Sequence, residues 1–389
     1  MAVKNEFISP SSDHFVHGLG NSLQKPDWPV LCEGELSTLL DQHYEVGPLR
    51  AIEWRSPRPF SSAARISTAQ GGFFIKRHGR ALRSVADLQA EHHFMSYLAK
   101  SGMNVAQVVP TKSGATAFAN DGWTYELHCA APGEDLYQDR TSWTPFLSGE
   151  QAFEAGKVLA ELHRAAVHYD APARSARMLI MNMRLFGTRN PLTALKAEIS
   201  KHVGLNAFFS HKNWQEDILE RVVEPFHAAA YAALQTAPPL WGHGDWHGSN
   251  LLWSGCGPAA SVSTVLDFGL ADKSTALLDV ATALERSMVP WLQMEHGEEP
   301  VANVEQTTCF LRGYAFVSGW GSNELSALAD ILPIAHTNFA FSEIDYFYSL
   351  LKNEENADLA YSGYLLGHSD WFGRAEGKRW LRHIKTLNL

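Results

Sequence analysis

Two short polar segments near the middle of the chain constrain it more than any other feature. HGDWHGSN, residues 243–250, holds two histidines, one carboxylate and one amide, and LDFGLAD follows at residues 266–272. Two strand-like runs lie between the segments. A structural loop has little use for these groups. A site that holds a divalent metal against a polyphosphate and takes a proton from a hydroxyl needs them.

Length and composition set the broad class of protein. At 389 residues the chain is too long for one small core, and two domains are expected. Hydrophobic residues make up 45% and charged residues 19%, as in an ordinary globular protein. The net charge of −10 argues against a general nucleic-acid binder, which would need a basic surface. The cysteines predict neither a zinc site nor a disulfide framework, because Cys32, Cys129, Cys256 and Cys309 have no paired spacing.

The sequence carries no sign of secretion or of membrane insertion. The N-terminal stretch MAVKNEFISPSSDHF lacks an apolar signal core, and no run of about eighteen apolar residues occurs. We therefore expect a cytoplasmic protein outside the membrane. A monomer and a homodimer both stay open.

The residue pattern changes along the chain and predicts an α+β fold. Residues 1–30 are rich in Ser, Pro, Gly and Asn, and an N-terminal arm is expected over residues 1–36. Residues 37–130 predict a five-stranded antiparallel sheet with one helix inserted after the third strand. Residues 131–389 alternate helical stretches with short loops. A small strand-rich domain is therefore expected before a larger, mainly helical one.

The first domain can be predicted in more detail. A short helix begins at about Ser37, and the strands RAIEWRS, AARISTAQ and GFFIKRHG follow, the last two joined at Gly71-Gly72. The helix SVADLQAEHHFMSYLAKSG comes next and ends at Gly102. Two more strands follow, and their turn lies either at Gly114 or at Asp121-Gly122.

The two polar segments resemble the active-site core of the aminoglycoside phosphotransferase and choline kinase family. H-G-D-x-x-x-x-N is similar to the catalytic loop of that family, and Asp267-Phe268-Gly269 is similar to its metal-binding motif. The resemblance covers about residues 37–290, and the stretch ARISTAQGGFFIKRH favours the homoserine kinase-like branch. It implies a protein-kinase-like two-lobe fold. It also implies an ATP-dependent, Mg²⁺-assisted transfer of phosphate to a hydroxyl of a small molecule.

The resemblance assigns roles in and around the catalytic loop. Asp245 would take the proton of the attacking hydroxyl or orient that hydroxyl. Asn250 and Asp267 would share a Mg²⁺ ion, which favours oxygen ligands and keeps several waters. His243 and Asp279 would support the loop rather than take part in the chemistry.

The resemblance also places phosphate contacts in the first domain. Lys76 ends the strand GFFIK, where the kinase fold has the lysine that contacts the α- and β-phosphates. Glu91, on the following helix, would pair with this lysine. The alternative is that Lys76 is only a solubilising charge at the end of a strand.

The loop expected over the phosphates departs from the protein-kinase pattern, because residues 56–63 contain no glycine. Ser61 and Ser62 would instead offer hydroxyl and backbone N–H donors to a phosphate. An ordinary polar hairpin loop is the alternative. Further on, in HCAAPGE, backbone groups of Cys129 and Ala131 would hydrogen-bond the adenine ring.

The acceptor is expected beside the catalytic loop. Trp246 and His247 directly follow Asp245 and are candidates to line the acceptor site. His336 and Glu343 are further candidates from an aromatic-rich helical stretch, although an aromatic stripe at helical spacing is usually core. Amino alcohols, hydroxy amino acids, sugars and aminoglycosides all stay open as acceptors.

Two other functions compete with a small-molecule kinase. A protein serine/threonine kinase of similar fold would need a glycine-rich loop and an extended activation segment, but only about ten residues separate Gly269 from Asp279. A non-catalytic pseudokinase would be expected to have lost the lysine, the catalytic aspartate or a metal ligand. All of these residue types are present.

Overall fold

The computed structural model describes residues 15–17, 23–138, 140, 144–255 and 260–389. The described residues belong to two compact units, Met1–Gln89 with Gln107–Ala130 and Ala90–Ala106 with Ala131–Leu389. Much of the predicted N-terminal arm, and Cys256, lie outside the described residues. The other three cysteines are free thiols. No helix in the described ranges is both long and apolar enough to cross a membrane.

The first unit is built around one antiparallel sheet. Its elements are β1 (Val16–His17), β2 (Leu23–Gln24), α1 (Glu33–His43), β3 (Leu49–Arg55), β4 (Ser62–Thr68), β5 (Gly71–Gly79), β6 (Phe118–Asn120), β7 (Trp123–Cys129) and the start of α2 (Val85–Lys100). Strands β3 to β7 form a five-stranded sheet in the order β3-β4-β5-β7-β6. Helix α2 follows β5, the third strand of this sheet. The predicted five-stranded sheet with one inserted helix is therefore confirmed.

Details of the first unit differ from the sequence prediction at two points. Helix α1 begins at Glu33, inside the predicted arm, because Leu36 already belongs to its buried face. The chain between β4 and β5 reverses at Ala69-Gln70 rather than at Gly71-Gly72, since Gly71 already pairs with Thr68. The turn between β6 and β7 lies at Asp121-Gly122, where both residues have positive φ, as a type I′ hairpin turn requires.

The core of the first unit lies between α1 and the sheet. Its buried side chains come from both elements, and burying each leucine or isoleucine contributes about 1.5–3 kcal/mol. They include Leu36, Leu40, Tyr44, Ala64, Ile66, Ile75 and Leu127. Arg77 adds a polar link, because its Nη1 donates to both carboxylate oxygens of Glu35 at 2.7 and 2.8 Å. The guanidinium of Arg77 also lies 4.4 Å from the ring centre of Trp123.

The second unit is mainly helical. Its strands are β8 (Pro239–Gly242), β9 (Leu251–Ser254), β10 (Ser261–Val265) and β11 (Asp272–Thr275). Its helices after α2 are α3 (Gly149–Ala166), α4 (Pro191–Lys201), α5 (Val203–Phe209), α6 (Trp214–Ile218), α7 (Ala228–Thr236), α8 (Ala276–Met288), α9 (Val304–Ser318), α10 (Ser322–Ile331), α11 (Thr337–Asp345), α12 (Glu354–Leu359), α13 (His368–Gly373) and α14 (Ala375–Thr386). Helical turns of π type span Leu219–His227, Tyr346–Leu351 and Ala360–Gly367, and 3₁₀ turns span Gly248–Asn250, Trp291–His296 and Leu332–Ile334.

The helices of this unit pack closely, and α8 lies at its centre. Helices α3 and α9, for example, approach so closely that a Cβ on Gly156 would overlap the backbone of Phe310. Helix α8 is buried on every side from Leu277 to Met288, which is typical of a central helix. The hydroxyl of Thr275 caps its start by accepting the N–H of Leu278 at 3.1 Å. Any polar side chain that α8 carries must therefore find a partner inside the protein.

Candidate active site

Two short strand pairs hold the predicted catalytic loop beside the predicted metal motif. Strand β8 pairs with β11, and strand β9 pairs with β10, both antiparallel. Residues 243–250 connect β8 to β9, and residues 266–271 connect β10 to β11, so the two connections lie side by side. The N–H of Leu266 donates to the carbonyl of Asn250 at 2.8 Å. Asn250 and Asp267 therefore lie at the same end of the β9–β10 hairpin.

The glycine of the HGD sequence is required by the path of the loop. Gly244 has a φ of 78°, which disfavours residues with a side chain. A Cβ at this position would also lie 2.6 Å from the carbonyl oxygen of Leu270 and 2.9 Å from the Cβ of Met181. Only glycine lets the loop turn here and pass this close to the metal motif.

Asp279 of helix α8 holds the backbone of the catalytic loop. Its Oδ2 accepts the N–H of His243 at 2.7 Å, and its Oδ1 accepts the N–H of Gly244 at 2.7 Å. His163 Nε2 lies 2.8 Å from Oδ2, and His163 Nδ1 lies 2.7 Å from the Tyr314 hydroxyl. Burial acts to raise the pKa of Asp279, but the hydrogen bond and charge of His163 outweigh burial and lower it. The ionised carboxylate thus supports the loop from inside the unit.

His243 links the catalytic loop to the metal motif. Its Nε2 lies 2.8 Å from the carbonyl oxygen of Leu266, so this nitrogen must carry the proton that it donates. Its Nδ1 then accepts the N–H of Asp245 at 3.1 Å. The ring of Phe268 packs against the imidazole at a centroid distance of 4.7 Å. Both ring nitrogens are therefore used inside the protein.

The carboxylate of Asp245 has three polar neighbours. Its Oδ1 lies 2.9 Å from Nη1 of Arg286 and 3.5 Å from Nε2 of His247. Its Oδ2 accepts an N–H of the Asn250 amide at 3.1 Å. Burial acts to raise the pKa of Asp245, but the charges of Arg286 and His247 hold it well below its usual range. About 15% of the side chain stays exposed, so the carboxylate is both ionised and accessible.

Arg286 lies in the site but was not among the residues predicted from the sequence. It follows Asp279 by seven positions in LLDVATALER, or about two helical turns, so both residues lie on one side of α8. This spacing was the signal that could have identified it. Its guanidinium lies 4.9 Å from the ring centre of Phe339. Burial acts to lower the pKa of Arg286, but the carboxylate of Asp245 raises it, so the group stays charged.

Asn250 and Asp267 offer the oxygen atoms that a hard divalent cation prefers. The Asn250 amide nitrogen donates to the carbonyl and the carboxylate of Asp245 at 2.8 and 3.1 Å, so the amide oxygen is directed away from Asp245. Asp267 has a φ of 54°, a conformation that is uncommon outside glycine and often found at functional sites. Its Oδ1 accepts the N–H of Gly269 at 3.3 Å. One amide oxygen and one carboxylate fit a Mg²⁺ ion that keeps several waters.

Trp246 and His247 have different environments, although both were predicted to line the acceptor site. Trp246 is fully buried, and its Nε1 donates to the carbonyl of Ala155 in α3 at 3.1 Å. This geometry favours an anchoring role over contact with an acceptor. His247 is partly exposed, and its Nδ1 lies 2.9 Å from the Ser249 hydroxyl. Since its Nε2 lies 3.2 Å from the Asn250 amide nitrogen, His247 stays beside the Asp245 carboxylate.

His336 and Glu343 both lie in the interior at helix α11. His336 is 1% exposed, and its Nε2 lies 3.2 Å from the carbonyl of Leu365. Burial lowers the pKa of His336 to about 4, so the ring is neutral and donates to the backbone. Burial raises the pKa of Glu343 to about 8, against the opposing charge of Arg286. Glu343 is therefore protonated near neutral pH and lies in the electrostatic field of Arg286 and Asp245.

Arg174 orders the metal motif from a second direction. Its side-chain Nη1 donates to the carbonyls of Gly269 and Ala271 at 2.9 and 3.1 Å. Its backbone N–H donates to the Asp272 carboxylate at 2.7 Å. The carboxylate of Glu91 lies 3.5 Å from Nη2 of Arg174. Glu91 was predicted as the partner of the phosphate-binding lysine. Within its own unit, it supports the arginine that holds the metal motif.

The predicted phosphate-contacting residues of the first unit lie on β4 and β5 or next to them. Lys76 lies in β5, opposite Ala63 of β4. Ser61 directly precedes β4, and Ser62 is its first residue. The Ser62 hydroxyl donates to the carbonyl of Pro29 at 2.7 Å. This bond gives Ser62 a role in holding the chain, in line with the alternative of an ordinary polar loop.

The two predicted adenine contacts fall at the chain boundary between the units. Cys129 is the last residue of β7, and its N–H donates to the carbonyl of Gln107 at 2.8 Å. Ala131 is the first residue of the chain after the first unit ends. The backbone N–H of Cys129 thus already has a partner within its own unit.

The chain belongs to the phosphotransferase enzyme family. The family model with this description matches residues 59–320, which is more than half of the chain. The protein is therefore a phosphotransferase, and the family predicted from the two polar segments is confirmed. No curated protein sequence matches the chain.

Solved structures of small-molecule kinases share the fold. An amicoumacin kinase in complex with AMP-PNP, Ca²⁺ and Ami has a TM-score of 0.55 and 14% identity over 91% of this chain and 93% of that chain. A microcompartment-associated aminopropanol kinase has a TM-score of 0.55 and 16% identity over 90% and 98%. An aminoglycoside phosphotransferase from Alicyclobacillus acidocaldarius has a TM-score of 0.50 and 16% identity over 92% and 98%. These similarities confirm the predicted α+β, protein-kinase-like fold.

Proposed function

We propose that the protein transfers the γ-phosphate of ATP to a hydroxyl of a small molecule, with Mg²⁺ as the metal and Asp245 on the hydroxyl. The observation that carries the proposal is the placement of Asp245, Asn250 and Asp267 on two adjacent connections. Phosphoryl transfer depends mainly on positioning and charge neutralisation, and this arrangement offers both. The amicoumacin kinase was solved with AMP-PNP and Ca²⁺, a nucleotide and a divalent cation, which supports the same pair of ligands here.

The residues divide into those on the nucleotide side of the reaction and one on the acceptor side. Asn250 and Asp267 would hold the Mg²⁺ ion, which supplies charge neutralisation to the phosphate oxygens when it is bound. Lys76 would contact the phosphates, with Ser61 as a further donor to them. Asp245 would contact the acceptor, and its neighbours would keep its carboxylate in place.

The charge environment of Asp245 defines its part in the reaction. A carboxylate whose pKa is held well below its usual range is a weak base, so Asp245 first accepts a hydrogen bond from the hydroxyl and orients it. The hydroxyl oxygen then bonds to the γ-phosphorus, and the bond from that phosphorus to the bridging oxygen of ADP breaks. The transition state is loose, so the proton can leave late, to Asp245 and then to solvent.

A protein substrate is the less favoured alternative. Strand β11 begins at Asp272 and helix α8 begins at Ala276. This stretch is described throughout, and it leaves no room after Gly269 for an extended activation segment. A pseudokinase that only binds nucleotide is the second alternative, and it differs from the proposal in having no turnover.

The test is a measurement of ADP release from Mg·ATP with amino alcohols, hydroxy amino acids, sugars and aminoglycosides. We expect Mg²⁺-dependent turnover with at least one acceptor. Asp245→Asn should lower kcat by about 10²- to 10⁴-fold while the affinity for nucleotide, measured by calorimetry, barely changes. The melting temperature of the same preparation must be recorded, because this variant leaves Arg286 without its carboxylate. Folded protein that does not bind Mg·ATP, or a stable Asp245→Asn variant with near-wild-type turnover, would contradict the proposal.

A further inference from the structure

Arg286 has an unused hydrogen-bonding edge beside the catalytic carboxylate. Its Nη1 lies 2.9 Å from Oδ1 of Asp245. Its Nε and Nη2 are buried, and no group in the described part of the chain hydrogen-bonds either of them. Buried N–H groups of a charged side chain are costly to leave unpaired, and each such group in a folded protein needs an explanation. A ligand that binds next to Asp245 would supply the missing partner.

The free edge has the shape of a carboxylate-binding site. The Nε–H and one Nη2–H of an arginine point in parallel and match the two oxygens of a carboxylate. The guanidinium is held by the ion pair of its Nη1 with Asp245 at 2.9 Å, and its Cζ lies over the ring of Phe339 at 4.9 Å from the ring centre. The edge is therefore oriented before a ligand binds, which lowers the entropy cost of binding.

The acidic side chains around Arg286 do not satisfy this edge. Glu285 directs its Oε1 to Nδ1 of His368 at 2.8 Å. Glu343 is 2% exposed, and within the described ranges its Oε2 has no hydrogen-bond partner. Burial raises the pKa of Glu343 to about 8, so this group is uncharged near neutral pH. Arg286 is thus left with Asp245 as its close ionised partner, and it can bind a second anion.

We propose that the acceptor carries a carboxylate, which the Nε and Nη2 of Arg286 bind while Asp245 contacts the reacting hydroxyl. This inference rests on the proposed function, because Asp245 must be the group that meets the hydroxyl. The 2.9 Å contact between Arg286 and Asp245 places the two binding points within the span of one small molecule. Hydroxy acids and hydroxy amino acids are therefore favoured over amino alcohols, sugars and aminoglycosides that lack a carboxylate.

The test compares acceptors that differ only in the carboxylate. The full-length protein with Mg·ATP is given L-serine, L-homoserine and 5-hydroxynorvaline, each against the amino diol in which CH₂OH replaces the carboxylate. The same comparison is made for 3-hydroxypropanoate, 4-hydroxybutanoate and 5-hydroxypentanoate against their diols, so that the ammonium group varies independently. At the best chain length we expect kcat/KM to be on the order of 100-fold higher for the carboxylate than for its partner.

A variant locates the effect at Arg286. Arg286→Lys keeps a positive charge beside Asp245 but lacks the paired N–H groups. We expect the preference for the carboxylate to fall to about 10-fold or less, mainly through KM of the acceptor, with KM for ATP unchanged. If the edge instead contacts the transferring phosphate, kcat will fall equally for both members of each pair and the preference will persist, which overturns the inference. If the variant does not fold, the wild-type comparison still decides.

The outcomes separate this inference from the proposed function. Turnover that is equal within each pair, or confined to acceptors without a carboxylate, overturns the carboxylate inference and leaves the phosphotransferase function intact. If Mg·ATP is bound but no acceptor in the panel is used, calorimetry measures the binding of the same compounds to the protein with AMP-PNP. If the compounds that carry a carboxylate do not bind, the inference is overturned. A folded protein that neither binds Mg·ATP nor releases ADP contradicts the proposed function itself.

Discussion

Replacing Asp279 by Asn should weaken both the fold and the catalytic loop. The carboxylate accepts the N–H groups of His243 and Gly244 at 2.7 Å each, and His163 Nε2 lies 2.8 Å away. An asparagine has one acceptor oxygen, and its NH₂ group would face a donor. At least one buried backbone N–H then loses its partner, together with the charge that strengthens the other contacts. The free energy of unfolding should fall by about 3–5 kcal/mol.

Urea unfolding followed by tryptophan fluorescence at pH 7 measures this loss, and kcat is recorded on the same preparation. The matched control is Asp370→Asn, since Asp370 pairs with Arg221 at 2.6 Å with both side chains about one-third exposed. An exposed pair contributes about 0–1 kcal/mol. If Asp279→Asn loses no more stability than Asp370→Asn, the carboxylate does not support the loop in the way described.

The same variant has a defined pH dependence. Asp279 has a folded-state pKa below its ordinary value of 3.8. A depressed carboxylate pKa stabilises the folded state fully above the unfolded value, and the contribution is lost as pH falls through the folded value. The stability difference between wild type and Asp279→Asn should therefore be constant from neutral pH down to about pH 5 and shrink below about pH 4. A difference that grows on acidification would refute the assignment.

Three further results are expected. Gly244→Ala should lower the free energy of unfolding by about 2–5 kcal/mol in urea titrations, because a Cβ would meet a backbone oxygen at 2.6 Å. The control is Gly102→Ala, which should lower it by only about 1–2 kcal/mol, because Gly102 has a φ of 90° but open space around its Cβ position. The free energy of unfolding of the wild type should decline by about 3–5 kcal/mol between pH 5 and 8, because a carboxyl whose pKa rises from 4.5 to about 8 on folding stabilises the folded state less as pH rises. Glu343→Gln should remove this decline. Equal pH profiles of the two proteins would exclude the raised pKa of Glu343. Arg77→Met should cost about 2–4 kcal/mol of unfolding free energy against at most about 1 kcal/mol for Arg65→Met, because the first side chain is 4% exposed and the second 57%.

The sequence by itself determined the family and the class of fold. HGDxxxxN and DFG each bring carboxylates, an amide or required glycines together within a few residues, so the family can be recognised from them without knowing the fold. Alternating strands and one helical face likewise predicted the five-stranded sheet with its inserted helix, which the structure confirms. These features are local, because backbone hydrogen bonding and side-chain periodicity act over short stretches of chain.

Only the tertiary structure decided which side chains support the centre. His163 and Asp279 are 116 positions apart, and Arg174 and the carbonyl of Gly269 are 95 apart. The spacing from Asp279 places Arg286 on one side of α8, but its contact with Asp245 becomes visible only when α8 is buried beside the catalytic loop. The partner of a buried charge is set by how distant elements pack around it, since an unpaired charge inside the protein destabilises the fold through its desolvation. Local sequence patterns do not record that packing.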